Sequence, residues 1–110
     1  MSERDDRDFD IWREAQRWRA FLDERNGDSD LELTLRILKL TEESGEAAQA
    51  WIGRLGQNPR KGVTHTHEQV VSELADVVFT ALVALESIGA DAREAVQSCA
   101  VKAATYRART

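Results

Sequence analysis

The segment from Val70 to Leu85, VVSELADVVFTALVAL, places the strongest constraint on how this chain folds. Its apolar residues cover most of the circumference of a helix, and such a helix must be buried on nearly every side. Yet the segment contains Glu73 and Asp76, and an ionised carboxylate in apolar surroundings is costly unless it meets a cation. The segment therefore predicts a buried helix whose two acids share a cationic partner.

Helical spacing dominates the rest of the chain, and alternating strand patterns are scarce. The sequences from Ser29 to Glu32 and from Thr66 to Gln69 both read as capping boxes that open helices. A loop containing the single proline precedes the third helix, and Gly89 ends that helix. The pattern predicts an all-α fold of four helices, at about 10–25, 30 to 53 or 56, 67–88 and 91–107.

The chain has 110 residues, which predicts one domain. We expect residues 1–8 to be a frayed N-terminus and residues 9–110 to form that domain. A chain this short buries a limited fraction of its surface. An almost wholly apolar third helix therefore predicts that a second copy of the chain covers part of it.

Charge and cysteine content indicate which binding partners and which cellular location to expect for this protein. The net charge of −5 disfavours binding to nucleic acids and to acidic membranes. Apolar runs are too short to span a bilayer, and the acidic N-terminus does not resemble a signal peptide. Cys99 is the sole cysteine, so an internal disulfide is excluded and a cytoplasmic location is expected.

A second acidic cluster lies in the predicted second helix. Glu43 and Glu46 are three residues apart and share a helix face, as Glu73 and Asp76 do. Either pair alone is weak support for a metal site, because such pairs are common on solvated helices. If the two helices are antiparallel neighbours, both pairs meet, and Mg²⁺ is the ion whose preferred ligands are carboxylate oxygens. Gly45, an unfavourable residue inside a helix, predicts a close approach at that point.

These motifs resemble a known family. The sequence from Glu42 to Glu46, EESGE, followed by ELAD from Glu73 to Asp76, resembles the EExxE and ExxD signature of MazG-type all-α nucleoside triphosphate pyrophosphohydrolases. The resemblance extends from about Leu35 to the C-terminus. It implies a four-helix MazG-like bundle in which helices two and three pair in an oligomeric core, as a homodimer or homotetramer.

The resemblance also implies an activity and a site. The activity is Mg²⁺-dependent cleavage of a nucleoside triphosphate between the α- and β-phosphates, in nucleotide-pool housecleaning, with Mn²⁺ as a substitute metal. The matching metal ligands are Glu43, Glu46, Glu73 and Asp76, and Glu42 matches a glutamate that acts as base or further ligand. The family often has an Asn in a Lys-x-x-x-Asn-Arg pattern near its end, where this chain has Tyr106.

Substrate contacts are predicted from residue chemistry. Phosphates attract cations, and a nucleobase stacks on aromatic rings. The candidate substrate-binding residues are Lys39, Arg60, Lys61, Lys102, Arg107, Trp12 and Trp51. Trp18 fits the apolar seam of the first helix and is expected in the core.

Two other interpretations remain open, and a third is disfavoured. The chain could be a phosphoribosyl-ATP pyrophosphohydrolase, which has the same metal chemistry. It could be a non-enzymatic helical dimerisation module with a merely polar strip at its interface. A di-iron bundle is disfavoured, because Glu46 and Asp76 stand where that class has histidines.

Overall fold

Four helices make up the part of the chain that the structure, a computed structural model, describes, which is residues 9–109. The helices are α1 (Ile11–Asn26), α2 (Asp30–Leu55), α3 (His67–Ser87) and α4 (Ala92–Ala108). Residues 9–109 contain no strand, so the predicted all-α class is confirmed for them. The predicted frayed segment, residues 1–8, lies outside the described residues.

Capping side chains set the helix starts much as the sequence predicts. Thr66 accepts a hydrogen bond from the Gln69 amide at 3.1 Å, and the Gln69 side chain accepts one from the Thr66 amide at 2.8 Å, which completes a capping box. The box predicted at Ser29 is only half formed. The Ser29 hydroxyl accepts from the Glu32 amide, but the Glu32 carboxylate accepts instead from the Arg36 guanidinium at 2.7 Å.

An antiparallel pair of helices, α2 and α3, forms the body of the molecule, with α1 packed on one face of α3. Arg36 near the start of α2 bonds Ser87 at the end of α3, so the two helices run in opposite directions. The small central core joins Ala15 of α1 to Leu82 and Val83 of α3 and to Ala92 at the start of α4. Since α4 contacts α3 only sparsely, most of this helix projects from the body.

Arg36 links three helices at the end of the α2–α3 pair that lies opposite the loop connecting them. Its guanidinium donates to the carboxylates of Asp23 and Glu32, to the Ser87 hydroxyl and to the Gly27 carbonyl, all within 3.1 Å. Burial lowers the pKa of Arg36, but the hydrogen bonds with Asp23 and Glu32 raise it by more. The buried charge is therefore fully paired, as a stable interior requires.

Much of the apolar surface of the chain is left open to solvent. No large side chain within residues 9–109 is fully buried, and leucines and valines on the outer faces of α2 and α3 are about half exposed. The radius of gyration is 17.2 Å, whereas a compact domain of this length has one of about 13 Å. Within residues 9–109, no helix combines the length and the apolarity needed to cross a membrane.

The loop that links α2 to α3 is held against the last turn of α2 at Gly53. The Thr64 amide donates to the Gly53 carbonyl at 2.9 Å. A Cβ atom at Gly53 would overlap the Thr64 hydroxyl and the His65 imidazole. An added methyl group at Gly53 would therefore have to displace these loop side chains from the helix backbone.

We expect Gly53→Ala to lower the free energy of unfolding by roughly 1–3 kcal/mol, because the added methyl group overpacks the contact with the loop. The matched control is Gly45→Ala in the same helix, where a Cβ atom meets no described atom within 4 Å, so the close approach predicted at Gly45 is not found within residues 9–109. Helix propensity predicts that this control is neutral or stabilising by up to about 1 kcal/mol. Thermal melts of both variants test the difference, and equal stability would contradict the assigned loop contact.

Candidate metal centre

Three carboxylates converge where the middle of α2 faces the first half of α3. Glu43, Glu73 and Asp76 each offer an oxygen atom, and these atoms all lie within 4.8 Å of one another. Glu43 and Glu73 are half-buried, whereas Asp76 is exposed. The antiparallel pairing of α2 with α3 thus brings together acids that are 33 residues apart in the sequence, from 43 to 76.

The chemistry of this cluster fits a hard divalent cation. One carboxylate oxygen of Glu73, Oε2, is fully shielded from solvent and has no hydrogen-bond partner. A buried acceptor without a donor carries a desolvation penalty that a bound cation removes. Three oxygen ligands facing one small space, with room on the exposed side for water or phosphate oxygens, match the preference of Mg²⁺.

Glu46, the fourth predicted ligand, lies beside this trio and outside it. Its oxygens are not within the 4.8 Å group. Partial desolvation and the negative charges of Glu43 and Glu73 raise the pKa of Glu46 above its ordinary value. The carboxylates therefore repel one another, and Glu46 lies close enough to the trio for that repulsion to act on it.

Lys39 provides the positive charge closest to the trio. Its ammonium lies 3.4 Å from Glu43 and 3.8 Å from Glu42, one helical turn further along α2. The hydrogen bond to Glu43 and the charge of Glu42 raise the pKa of Lys39. Glu42 itself is 62% exposed at its side chain.

The predicted loop cations, Arg60 and Lys61, have different surroundings. Lys61 lines a cavity of about 470 Å³ between the end of α2 and the loop, whereas Arg60 does not. Amide side chains that the sequence analysis did not single out share this cavity, namely Gln49, Gln57 and Asn58. Gln49 lies one turn beyond Glu46 on the same strip of α2, and that spacing could have identified it.

The tryptophans are arranged differently from the sequence expectation. Trp12 packs against the central core, whereas Trp18 is 43% exposed and stacks on Phe21 with ring centroids 4.9 Å apart. Trp18 also borders a small crevice beside Lys39 and Thr80. The crossing of α1 over α3 rotates the Trp12 side inward, and this crossing angle is not encoded in the spacing of α1 alone.

Trp51 and the cations of α4 lie apart from the carboxylates. Trp51 lines an apolar groove between α2 and α3, on the other side of that pair from Glu43. Lys102 and Arg107 are exposed on the projecting part of α4. One copy of the chain therefore brings Lys39 close to the carboxylates, while α4 extends away from the helix pair.

Comparison with known protein families, with curated proteins and with solved structures finds no match to this chain. The fold and the carboxylate cluster define it as an all-α four-helix protein with a candidate metal centre between α2 and α3.

Proposed function

We propose that this protein is a MazG-like, Mg²⁺-dependent nucleoside triphosphate pyrophosphohydrolase. The observation that carries the proposal is the convergence of Glu43, Glu73 and Asp76 around a buried, unpartnered Glu73 oxygen. In a chain with a net charge of −5, acids gathered in a half-buried space repel one another. A bound divalent cation would compensate that repulsion.

The residues present support hydrolysis of a phosphoanhydride. Bound Mg²⁺, or Mn²⁺ in its place, neutralises phosphate charge and lowers the pKa of water. Glu43, Glu73 and Asp76 would hold the ion, and Glu46 would complete or support the set. Glu42 accepts a proton from the attacking water, while Lys39 faces the phosphates. The water oxygen joins the nucleotide phosphate, and the α–β anhydride bond breaks to release pyrophosphate.

A second copy of the chain belongs to this proposal. The described chain exposes apolar faces on both sides of the α2–α3 pair, including the groove of about 550 Å³ that Trp51 lines. Faces of this kind mark sites of association. A homodimer or homotetramer with helices two and three in its core buries them.

The direct test combines a thermal melt with an assay of pyrophosphate release. We expect Mg²⁺ to raise Tm relative to EDTA, because an ion that binds only the folded state stabilises it by mass action. A panel of canonical and damaged (deoxy)nucleoside triphosphates, with phosphoribosyl-ATP included, then identifies the substrate. Turnover of phosphoribosyl-ATP alone would favour that alternative enzyme. No Mg²⁺ shift and no pyrophosphate would favour the dimerisation module.

We expect Lys61→Ala to raise KM about tenfold with little change in kcat, because removing a cation that binds the phosphates equally in the ground and transition states weakens binding alone. Arg60→Ala is the matched control, since Arg60 is adjacent in sequence but does not line the loop cavity. Steady-state kinetics on the best substrate measure both variants. Equal KM values for Lys61→Ala and the unaltered protein would remove Lys61 from the site.

A further inference from the structure

We propose that the fourth helix of one copy packs along the outer face of α2 of a second copy. This inference rests on the self-association proposed above but not on the proposed hydrolysis. The first surface is the outer strip of α2, on the side of this helix that faces away from α3. The second surface is the inner strip of α4, on the same side of this helix as its buried first residue. The two strips are distinct from the groove that Trp51 lines.

The outer strip of α2 has the spacing of a helix-pairing seam. Its residues recur at alternating steps of four and three, which keeps them on one side of a helix. They are Leu31, Leu35, Leu38, Glu42, Gly45, Gln49 and Ile52. The three leucines are 69%, 52% and 56% exposed, so nothing in the described chain covers them.

The inner strip of α4 follows the same steps of four and three. It consists of Ala92, Val96, Cys99, Ala103 and Tyr106. Ala92 is buried in the central core, whereas Cys99 is exposed and Tyr106 is 70% exposed. Apart from its first turns, α4 thus presents an apolar strip that is only sparsely contacted by the other helices of residues 9–109.

Charge selects α2 as the partner of α4 over a second α4. From Ala95 to the end of the chain there are cations but no acidic residue, so two α4 helices would repel each other. The outer strip of α2 contains Glu42 and is flanked by Glu46, whose negative charges attract that basic end. The pairing brings Lys102 of one copy towards the acidic side of the other.

The exposed area fits an interface of this size. The chain exposes 8683 Å², whereas a compact monomer of 12.4 kDa exposes about 6,100 Å². The excess is larger than the roughly 800 Å² that each partner contributes to an ordinary stable complex. One groove and one helix strip per copy can therefore both be covered by a second copy.

The sole cysteine of the chain, Cys99, lies in the inner strip of α4. A disulfide formed by Cys99 therefore identifies the surface that packs against this strip. Three single variants place a second cysteine along the outer strip of α2, Leu38→Cys, Gly45→Cys and Ile52→Cys. The matched control is Ser44→Cys, next to Gly45 but on the groove side of α2. Each is oxidised under mild conditions, and covalent dimers are quantified on non-reducing gels, with the linked peptides identified by mass spectrometry.

We expect at least one outer-strip variant to give mostly covalent dimer joined through Cys99, while Ser44→Cys and the unaltered chain give little. Crosslinking of Ser44→Cys alone would place α4 in the groove and overturn the inference, as would a Cys99–Cys99 dimer of the unaltered chain. Light scattering separates the two proposals. A monomeric protein contradicts self-association itself, whereas a dimer without outer-strip crosslinks contradicts only the role of α4.

Discussion

The Asp76→Asn variant is expected to lose Mg²⁺-dependent pyrophosphate release by about 100-fold or more, because an amide is a poor ligand for a hard cation and carries no charge to hold it. Asp76 is the exposed member of the trio, so the substitution leaves packing unchanged. The Mg²⁺-induced rise in Tm should shrink with the activity. Without metal, the variant should be at least as stable as the unaltered protein, since one repelling charge is gone.

Glu68→Gln is the matched control for Asp76→Asn, because it neutralises an exposed acid on α3 that lies outside the trio. It should keep both its activity and its Mg²⁺ shift. If Asp76→Asn retained full turnover with an intact Mg²⁺ shift, the metal centre would have to lie elsewhere. If the control failed equally, the effect would be one of general charge on α3.

Arg36→Ala is expected to destabilise the fold by about 3 kcal/mol, because it leaves the Glu32 carboxylate without its cation and Asp23 with only its ion pair to Arg19 at 2.6 Å. This value is the low end for a broken buried pair, since the Asp23 and Glu32 side chains are 26% and 15% exposed and keep some contact with water. In a domain of this size the change lowers Tm by more than about 10 °C. Chemical or thermal unfolding followed by circular dichroism measures it.

Arg17→Ala is the control for Arg36→Ala, because its guanidinium is 63% exposed and 3.9 Å from Glu14. Such surface pairs contribute at most about 1 kcal/mol. Arg36→Lys should recover only part of the loss, since an ammonium group cannot span acceptors on three helices as the forked guanidinium does. A loss for Arg36→Ala no greater than for Arg17→Ala would show that the cluster contributes little to stability.

Local patterns in the sequence were sufficient to predict the helices. Helix starts depend on a few adjacent side chains, and the Thr66 capping box formed as predicted, with Gln69 accepting from the Thr66 amide. The box at Ser29 failed for a tertiary reason. The buried guanidinium of Arg36 needs acceptors and donates to the Glu32 carboxylate, which is then not available to accept from the Ser29 amide.

The candidate site was also predictable only in part. The spacing of Glu43 and Glu46 and of Glu73 and Asp76 predicted that both acidic pairs meet if the two helices are antiparallel, and three of these four carboxylates converge. The position of Glu46 just outside the trio could not be predicted, because it depends on how far α2 is rotated about its axis against α3. Helix spacing defines a face but not the angle at which that face meets its neighbour.

The sequence by itself determined the helical class, the helix ends and the acids that share a face, because each depends on residues within one or two turns of one another. Only the tertiary structure decided that Arg36 joins three helices, that Trp12 rather than Trp18 packs on the core, and that Cys99 faces outward. Those outcomes depend on how separate helices cross, and crossing is set by packing between residues far apart in the chain.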